Sequence, residues 1–591
     1  MARNKYDVDE TLESSFDMKH LKRSLLYVKR YKKPMMIGLL CSAAATVCGL
    51  FVPVLTKEAL DVAIPGKDIW SLVLLCLGMA VFIGVSIWLS EIRLKVMTKV
   101  GQNIVFDIRQ DLFDHLQKLS FQYYDSRPHG KILVRVIQYV NNVSDMLSNG
   151  IINFFLEIFN LIFILVFMFA MSPRLSLVIL TGIPILLIVV KIVKPIQRKG
   201  QQLYSNKSSN LNAYLHENLN GIRVTQIFTR EELNKSIFEK LCMACKDQWM
   251  RVQYSANMVW VTVDILSRII TTLVYVAGVL WVKPMASFGT ILSMGTYSGR
   301  FWQPILNLSN IYNNFINTIA YLERIFETMD EPVEIHDQPD AYKLPPVVGK
   351  VELQDVVFEY EKGHPILKGI SFTVNPGESV ALVGPTGAGK TTIVNLISRF
   401  YDITSGSLLI DGHSVSGVTL SSLRGQMGIM LQDSVIFSGT IADNIRYGKL
   451  DATQEEIEQA ADIVMADGFI KEMEQGYDTE VNERGSRLSG GQKQLISFAR
   501  TILSDPKILV LDEATASIDT KTEKLMQEGI QRMLKGRTSF IIAHRLSTIQ
   551  SCDKIMYIDG GNVQEVGSHK ELMAKKGKYY QLYTSQLQKA Q

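Results

Sequence analysis

The amino-acid sequence predicts a membrane domain built entirely from α-helices, followed by an α/β domain with a phosphate-binding loop. Apolar residues crowd the first part of the 591-residue chain, where they form six long runs. The second part carries a glycine-rich loop with a lysine, Gly384-Pro-Thr-Gly-Ala-Gly-Lys390-Thr-Thr, directly after an apolar stretch. Because one hydrophobic core stops growing at roughly 250 to 300 residues, a chain of this length is expected to form at least two domains.

Each of the six apolar runs is long enough for a helix to cross roughly 30 Å of hydrocarbon. We therefore predict six membrane spans, at about Met35–Val54, Trp70–Leu89, Ile151–Met171, Leu175–Val193, Val259–Val282 and Phe288–Ile305. The segments after the second and fourth spans are long and charged, and their helical periodicity predicts helices that project from the membrane.

Seven Lys and Arg residues lie between Lys19 and Lys33, immediately before the first span. Since basic residues mark the cytoplasmic side, the N-terminus, the projecting helices and the α/β domain are expected in the cytoplasm. The first seventeen residues are acidic and contain no apolar stretch, which argues against a secretory or mitochondrial signal. We expect a multi-pass protein of a bacterial cell membrane.

A proline-rich stretch between Glu331 and Pro346 breaks helix and predicts a linker between the domains. The predicted organisation is a cytoplasmic segment with an elbow helix over residues 1–33, a transmembrane domain over 34–325, a linker over 326–348 and the α/β domain over 349–591.

The glycine-rich loop has the residue types that hold a nucleoside triphosphate. Ser379–Val383 is predicted as a buried strand, and the helix after the loop directs its N-terminal dipole at the phosphates. Backbone N–H groups surround phosphate oxygens, Lys390 supplies a charge and the Thr391 hydroxyl binds Mg²⁺. The predicted binding residues are Gly384, Pro385, Thr386, Gly387, Ala388, Gly389, Lys390, Thr391 and Thr392.

A second predicted strand, Ile508–Leu511, ends at two adjacent acids. Asp512 is placed to hold Mg²⁺ at the edge of the sheet, and Glu513 to polarise the water that attacks the γ-phosphate. We predict Glu513 as the general base.

The run Leu488-Ser-Gly-Gly-Gln492 narrows the class of protein. It resembles the signature with which two ATP-binding cassettes enclose ATP between them. The chain from about Asp17 to Leu587 is similar to bacterial multidrug and lipid exporters of the ATP-binding cassette family (type IV fold), in which one membrane domain is fused to one cassette. The short segments Phe121–Asp125 and Gly221–Phe228 resemble the coupling helices that rest on the cassettes of such exporters.

The resemblance implies roles for further residues. Tyr360 corresponds to the aromatic residue that stacks on adenine, Gln432 to the glutamine that senses Mg²⁺ and water, and His544 to the switch histidine at the γ-phosphate. Asp519 lies in the loop that crosses to the other cassette. The signature residues are expected to bind the ATP of a partner cassette, and these are Leu488, Ser489, Gly490, Gly491 and Gln492.

The implied function is an ATPase that drives export of amphipathic or hydrophobic small molecules, multidrug or lipid-like, by alternating access in a dimer. The partner is a second copy of the chain or another half-transporter with a degraded site; the sequence leaves both open. A dedicated lipid or peptide exporter has the same fold and chemistry. A net charge of +4 indicates no nucleic-acid surface, and the six spans argue against a soluble cassette ATPase. Two alternatives remain: an ATP-gated channel, without a regulatory insert to support it, and an importer of the same architecture, since the direction of transport is only implied by the family.

Ionisable residues within predicted spans are costly and usually face the interior of a helix bundle. Glu157, Asp264, Arg268 and Arg300 are therefore candidates for a cargo path, with Tyr297 from the polar stripe of the sixth span. Two alternatives remain open. Asp264 and Arg268 stand one helical turn apart and are equally suited to neutralise each other, and the polar residues of the sixth span also suit helix packing.

Overall fold

The computed structural model describes residues 18–127, 129–280, 287–430, 434–482, 485, 487–512, 520–543 and 546–590. The chain divides into two compact units. The first comprises the residues up to 117 together with 127–331, and the second comprises 118–126 together with 332–591. The second unit thus includes a nine-residue piece from the middle of the membrane domain's sequence.

Long α-helices form the first unit. In chain order the helices are α1 Met18–Arg30, α2 Lys32–Glu58, α3 Ile69–Leu116, α4 Phe121–Asp125, α5 His129–Val134, α6 Val140–Asp145, α7 Ile151–Met171, α8 Pro173–Leu180, α9 Gly182–Asn220, α10 Ile222–Ile227, α11 Glu231–Leu280 and α12 Phe288–Met329, with π-helical turns at Ala59–Ala63, Arg135–Tyr139 and Met146–Gly150. Helix α4 belongs to the second unit. The two segments predicted as coupling helices are thus short helices, α4 and α10.

Five helical segments of the described chain are long and apolar enough to cross a membrane: Lys32–Ala63, Ile69–Leu116, Ile132–Met171, Pro173–Asn220 and Glu231–Leu280. Each contains one predicted span, except that the last two residues of the fifth span lie outside the described residues. The sixth predicted span is the start of α12, a helix of 42 residues that does not reach the same apolarity. Polar residues such as Thr296, Arg300 and Gln303 account for this difference.

Helix α12 also continues past the predicted start of the linker at residue 326, as far as Met329. Phe326 is buried, and its ring lies 5.8 Å from that of His20 and 4.4 Å below the Arg23 guanidinium. This packing against α1 extends the helix, so the predicted boundary was four residues early. The helix ends just before Glu331-Pro332, where proline disfavours helical backbone in the preceding residue.

The core of the first unit centres on two aromatic residues of α12, Phe301 and Trp302, which pack among apolar residues of α2, α7, α8, α9 and α11. Tyr297 belongs to the same core: it is fully buried, and its hydroxyl donates to the Leu50 carbonyl oxygen at 2.6 Å. In this structure the side chain therefore joins α12 to α2, and its predicted place in a cargo path remains a prediction.

In the described part of the second unit, the chain forms three sheets and ten further helices. The strands are β1 Val351–Glu359, β2 Pro365–Val374, β3 Ser379–Val383, β4 Ser405–Ile410, β5 His413–Ser414, β6 Met427–Met430, β7 Gly439–Thr440, β8 Glu480–Val481, β9 Ile508–Asp512, β10 Thr538–Ile542, β11 Lys554–Asp559 and β12 Asn562–Gly567. The helices are α13 Lys390–Ile397, α14 Leu420–Arg424, α15 Ile441–Arg446, α16 Gln454–Ile463, α17 Asp467–Lys471, α18 Gly490–Leu503, α19 Thr520–Leu534, α20 Leu546–Ser551, α21 His569–Lys575 and α22 Lys578–Ala590, with 3-10 turns at Val415–Gly417 and Gly476–Asp478.

The largest sheet has the order β12-β11-β3-β10-β9-β6, and its strands run parallel except for β12 at the edge. A four-stranded antiparallel sheet, β2-β1-β4-β5, contributes buried residues to an apolar core of the unit. Parallel strands present their carboxyl ends at one edge, so the loop after β3 and Asp512 at the end of β9 open onto the same side of the sheet. A two-stranded sheet, β7-β8, completes the unit.

Candidate nucleotide site

The phosphate loop is shaped by glycines with positive φ. Gly384, Gly387 and Gly389 have φ angles of 146°, 82° and 104°, a region that other residues rarely adopt. A Cβ atom on Gly384 would also overlap the carbonyl oxygen of Ile558, on the adjacent strand β11. The loop therefore needs glycine here both for its backbone angles and for its close approach to β11.

Lys390 begins α13 and points back into this loop. The side chain is 8% exposed, and its ammonium group donates to the carbonyl oxygens of Gly384 at 2.9 Å and Pro385 at 2.8 Å. Burial lowers the pKa of Lys390, an effect that the charge of Asp512 opposes. A buried cation whose ammonium group donates to neutral carbonyls is well suited to exchange them for the anionic oxygens of a bound phosphate.

The residues predicted to hold Mg²⁺ supply oxygen ligands. Asp512 ends β9 beside Ile542 of β10, and Thr391 lies in the first turn of α13. Carboxylate and hydroxyl oxygens suit Mg²⁺, which commonly takes one or two carboxylates and completes its shell with water and substrate phosphates. Within the described residues no three His, Cys, Asp or Glu side chains cluster. The Asp512 carboxylate and the Thr391 hydroxyl fit a Mg²⁺ ion that nucleotide phosphates and water would complete.

Tyr360, the predicted adenine-stacking residue, follows β1 directly. Its ring is 38% exposed and is held edge-on by the rings of Phe358 at 4.8 Å and Tyr401 at 5.1 Å. The Tyr360 hydroxyl pairs with the Thr392 hydroxyl at 3.2 Å, which ties the aromatic ring to the first turn of α13. The ring is thus both partly accessible and fixed next to the phosphate loop.

The signature run forms a preformed helix start. Ser489 caps α18 by accepting from the Gln492 N–H at 3.2 Å, and the Gln492 side chain accepts from the Ser489 N–H at 2.9 Å. Leu488 and Gly491 are buried, whereas Ser489 and Gly490 are exposed. Exposed N–H groups at a helix N-terminus favour an anion.

Helix α18 packs against α15, α16, α19 and β6, whereas α13 packs against β10. The signature and the phosphate loop therefore belong to different parts of the cassette. Gln432, Glu513, Asp519 and His544 lie outside the described residues, and their roles remain predictions.

Comparisons with known proteins identify the family of this chain. Residues 35–305 match the family model of the ABC transporter transmembrane region, and residues 367–516 match that of the ABC transporter. An uncharacterized ABC transporter ATP-binding protein of Bacillus subtilis, YknV, is 39% identical over 99% of this chain and 98% of that protein. A putative multidrug export ATP-binding/permease protein of the same organism, YgaD, is 36% identical over 96% of this chain and 99% of that protein. A solved structure of a bacterial Atm1-family ABC exporter with ATP bound superposes with a TM-score of 0.78 at 28% identity, covering 96% of this chain and 99% of that one.

These matches define the class of protein: a helical transmembrane domain fused to a nucleotide-binding domain, in the fold of ABC exporters. The chain belongs to the ABC transporter family, and it is an ATPase coupled to transport across a membrane. The fold class and the family predicted from the sequence are confirmed.

Substituting alanine at two glycines should separate the two halves of the nucleotide site. Gly384→Ala introduces a clash and backbone strain, so MgATP affinity should fall by about tenfold or more. Gly490→Ala meets no atom within 4 Å, and Gly490 has no positive φ, so the same chain should keep its own MgATP affinity. The MgATP affinity of each full-length variant can be measured by equilibrium binding in detergent. An equal loss of affinity in the two variants would contradict the prediction.

Proposed function

We propose that this chain exports amphipathic or hydrophobic small molecules across a bacterial cell membrane by ATP-driven alternating access in a dimer. The proposal rests on one observation. A single chain contains a phosphate loop, a signature exposed at the start of a helix, and helices that are long and apolar enough to cross a membrane. The name of the multidrug export relative from B. subtilis supports this class of cargo.

Hydrolysis would proceed by in-line attack of water on the γ-phosphorus. A bond forms from the water oxygen to phosphorus while the bond to the ADP oxygen breaks, and Glu513 takes the proton from the water. Lys390 would exchange its two loop carbonyls for phosphate oxygens, and His544 would hold the γ-phosphate. Mg²⁺, when bound by Thr391, Gln432 and Asp512, neutralises phosphate charge.

Two exposed features support a dimer. The signature residues Ser489 and Gly490 face solvent in this chain, as expected if they complete the ATP site of a partner. At the tip of the second long loop, α10 and its flanks expose large apolar side chains, namely Leu219, Ile222, Val224, Ile227 and Phe228. Apolar surface of this kind on a cytoplasmic loop indicates a protein contact, and we infer that a cassette covers it.

Helix α12 supports a cargo path through its polar stripe, which we define as Thr296, Arg300, Gln303 and Asn307. The first three are exposed and recur at helical spacing on one face. Gln303 donates to the Asn307 Oδ1 atom at 3.1 Å, and Asn307 donates to the Glu157 carboxylate at 2.7 Å. Because polar groups facing lipid are costly, this stripe is expected to face water, cargo or the partner.

Arg300 also donates a hydrogen bond to a carbonyl oxygen of α2 that lacks its usual donor within the helix. Pro53 lies inside α2 and has no N–H, which removes the intrahelical donor for the Gly49 carbonyl. The Arg300 guanidinium donates to that oxygen at 2.9 Å. One N–H thus anchors the group, and its exposed remainder is available to an anionic headgroup.

Asp264 and Arg268 are paired within α11, where the Arg268 Nε atom donates to the Asp264 carboxylate at 2.9 Å. This contact favours mutual neutralisation over a ligand role. We therefore place Glu157 and Arg300, rather than this pair, in the proposed path.

The export proposal predicts ATP-dependent uptake of fluorescent amphiphiles into inside-out vesicles that contain the protein. A panel of cationic, zwitterionic and anionic probes should include at least one that accumulates against its gradient. Glu513→Gln should bind MgATP with unchanged affinity but lose uptake and phosphate release, since it lacks the base. If the wild-type protein hydrolysed ATP yet let probes flow only down their gradients, the channel alternative would replace export.

A mixing experiment tests whether two chains share each ATP site. Lys390→Ala removes the phosphate-loop charge, and Gly490→Ala adds a methyl group where we expect the signature to contact the ATP of the partner chain, so each variant alone should hydrolyse little ATP. Mixed dimers contain one composite site with both elements intact and should regain ATPase activity. A mixture no more active than the two separate variants would argue that each site is built within one chain.

The polar stripe predicts charge selectivity. Arg300→Gln should reduce the stimulation of ATPase activity by anionic amphiphiles by about tenfold relative to cationic ones, because a charge-assisted hydrogen bond is worth about 1.5–3 kcal/mol. Arg268→Gln removes an arginine of the same membrane domain that already has a carboxylate partner, and it should leave the ratio unchanged. Equal effects of the two substitutions would remove Arg300 from the cargo path.

A further inference from the structure

The second unit contains a set of side-chain contacts between helix α4 and the cassette. The Phe121 ring lies 4.4 Å from that of Phe400, and the Ser120 hydroxyl donates to the Glu334 carboxylate at 3.3 Å. At the other end of α4, the Asp125 carboxylate accepts from the Tyr401 hydroxyl at 3.0 Å. Helix α4 is thus held at both ends by residues of its own unit.

Tyr401 is the buried partner of the exposed Asp125 carboxylate. The residue is 8% exposed, and its hydroxyl is directed at Asp125. Burial raises the pKa of Tyr401, and the bond to Asp125 raises it further, so the hydroxyl stays protonated and donates at any physiological pH. Because the phenol is a fixed donor and the carboxylate accepts, the bond has a single direction.

The ring of Tyr401 belongs to a cluster of three aromatic rings. It meets the Tyr360 ring at 5.1 Å and 90°, and the Phe358 ring at 5.7 Å and 66°, while Phe358 and Tyr360 meet at 4.8 Å and 88°. These are edge-to-face arrangements, which depend on ring orientation. In a close-packed group of this kind, one ring cannot turn without displacing the others.

Helix α13 connects to both ends of the cluster. Thr392 in its first turn pairs with the Tyr360 hydroxyl at 3.2 Å, and Tyr401 follows four residues after the helix ends at Ile397. A continuous series of contacts therefore leads from the phosphate loop through Tyr360 and Tyr401 to Asp125 on α4.

We propose that Tyr401 is a positioning residue that links occupancy of the adenine-stacking site on Tyr360 to the anchoring of helix α4. The inference rests on the proposed function, since it assigns adenine to Tyr360. A purine stacked on Tyr360 restricts that ring, the edge contact then restricts Tyr401, and the Tyr401 hydroxyl holds Asp125. By linkage, anchoring of α4 strengthens adenine binding to the same extent.

Hydrogen exchange of the full-length protein in lipid nanodiscs tests this inference, with Mg²⁺ and a non-hydrolysable ATP analogue as the probe. Two peptides are followed, one over Phe121–Asp125 and one over the phosphate loop. In the wild-type protein, nucleotide should slow exchange in both. In Tyr401→Phe, which keeps the ring and loses the hydroxyl, the phosphate loop should remain protected while the slowing in α4 falls by about fivefold or more.

Tyr477→Phe provides a matched control. Tyr477 is also a buried tyrosine whose hydroxyl donates to a carboxylate, that of Asp467 at 2.8 Å, in the part of the cassette formed by α17 and the turn Gly476–Asp478. Tyr477→Phe and Tyr401→Phe each lose a hydrogen bond from a tyrosine hydroxyl to a carboxylate, so a general loss of cassette stability would appear in both variants. The α4 response should persist in Tyr477→Phe.

Asp125→Ala removes the acceptor of the Tyr401 hydroxyl without changing the aromatic cluster. It therefore tests the same link if Tyr401→Phe does not fold. In Asp125→Ala, nucleotide should no longer slow hydrogen exchange in the α4 peptide. Combining Asp125→Ala with Tyr401→Phe should cause no further loss of this slowing, because both substitutions remove the same hydrogen bond. An α4 response that survives in Tyr401→Phe or Asp125→Ala, with the phosphate loop protected, would overturn the link and leave the proposed function intact. If nucleotide slowed neither peptide in the wild-type protein, the nucleotide site itself would be wrong, and the link with it.

Discussion

The close passage of the Gly384 backbone against strand β11 is the constraint on which the nucleotide site depends. The Ile558 carbonyl leaves no room for a side chain at this position, and the positive φ turns the chain directly from β3 into the loop. This turn sets where α13 begins, and α13 in turn carries Lys390 into the loop and Thr392 to Tyr360. One backbone contact thus positions the residues proposed for both phosphate and adenine.

The membrane domain meets a different constraint, the cost of unsatisfied polar groups away from water. Several of its polar groups find partners on neighbouring helices: Ser293 donates to the Pro53 carbonyl and Tyr297 to the Leu50 carbonyl, both on α2. Asn307 pairs with Glu157 on α7, and Thr271 of α11 with Ser298. These bonds centre on α12, whose predicted span is less apolar than the other long helical segments of the domain.

The aromatic cluster of Phe358, Tyr360 and Tyr401 connects the chemistry of the cassette with helix α4. The cluster is built from the end of β1 and the segment after α13, two parts of the chain about forty residues apart. A conformational signal needs an element that prefers one arrangement when ligand is bound and another when it is not. The edge-to-face rings and the hydrogen bond from Tyr401 to Asp125 are the element that we propose for this role.

The sequence by itself determined the family and the fold class, and it supplied the candidate residues of the phosphate site. Lys390, the three loop glycines and Asp512 are found from local patterns, because a phosphate loop needs fixed residue types at fixed spacing along one turn of chain. The spans are found for a similar local reason, since hydrocarbon thickness sets their length. Strand β3 and the short helix α4 also have their predicted bounds.

Only the tertiary structure decided which polar residues of the sixth span are buried and which are exposed. Tyr297 and Arg300 stand one turn apart and read alike in the sequence, yet one is buried against Leu50 and the other is exposed beside Gly49. The contact of Tyr401 with Asp125 spans 276 positions, and no local pattern encodes it. Such contacts depend on how separate elements pack, and packing joins residues whose separation along the chain carries no periodic signal.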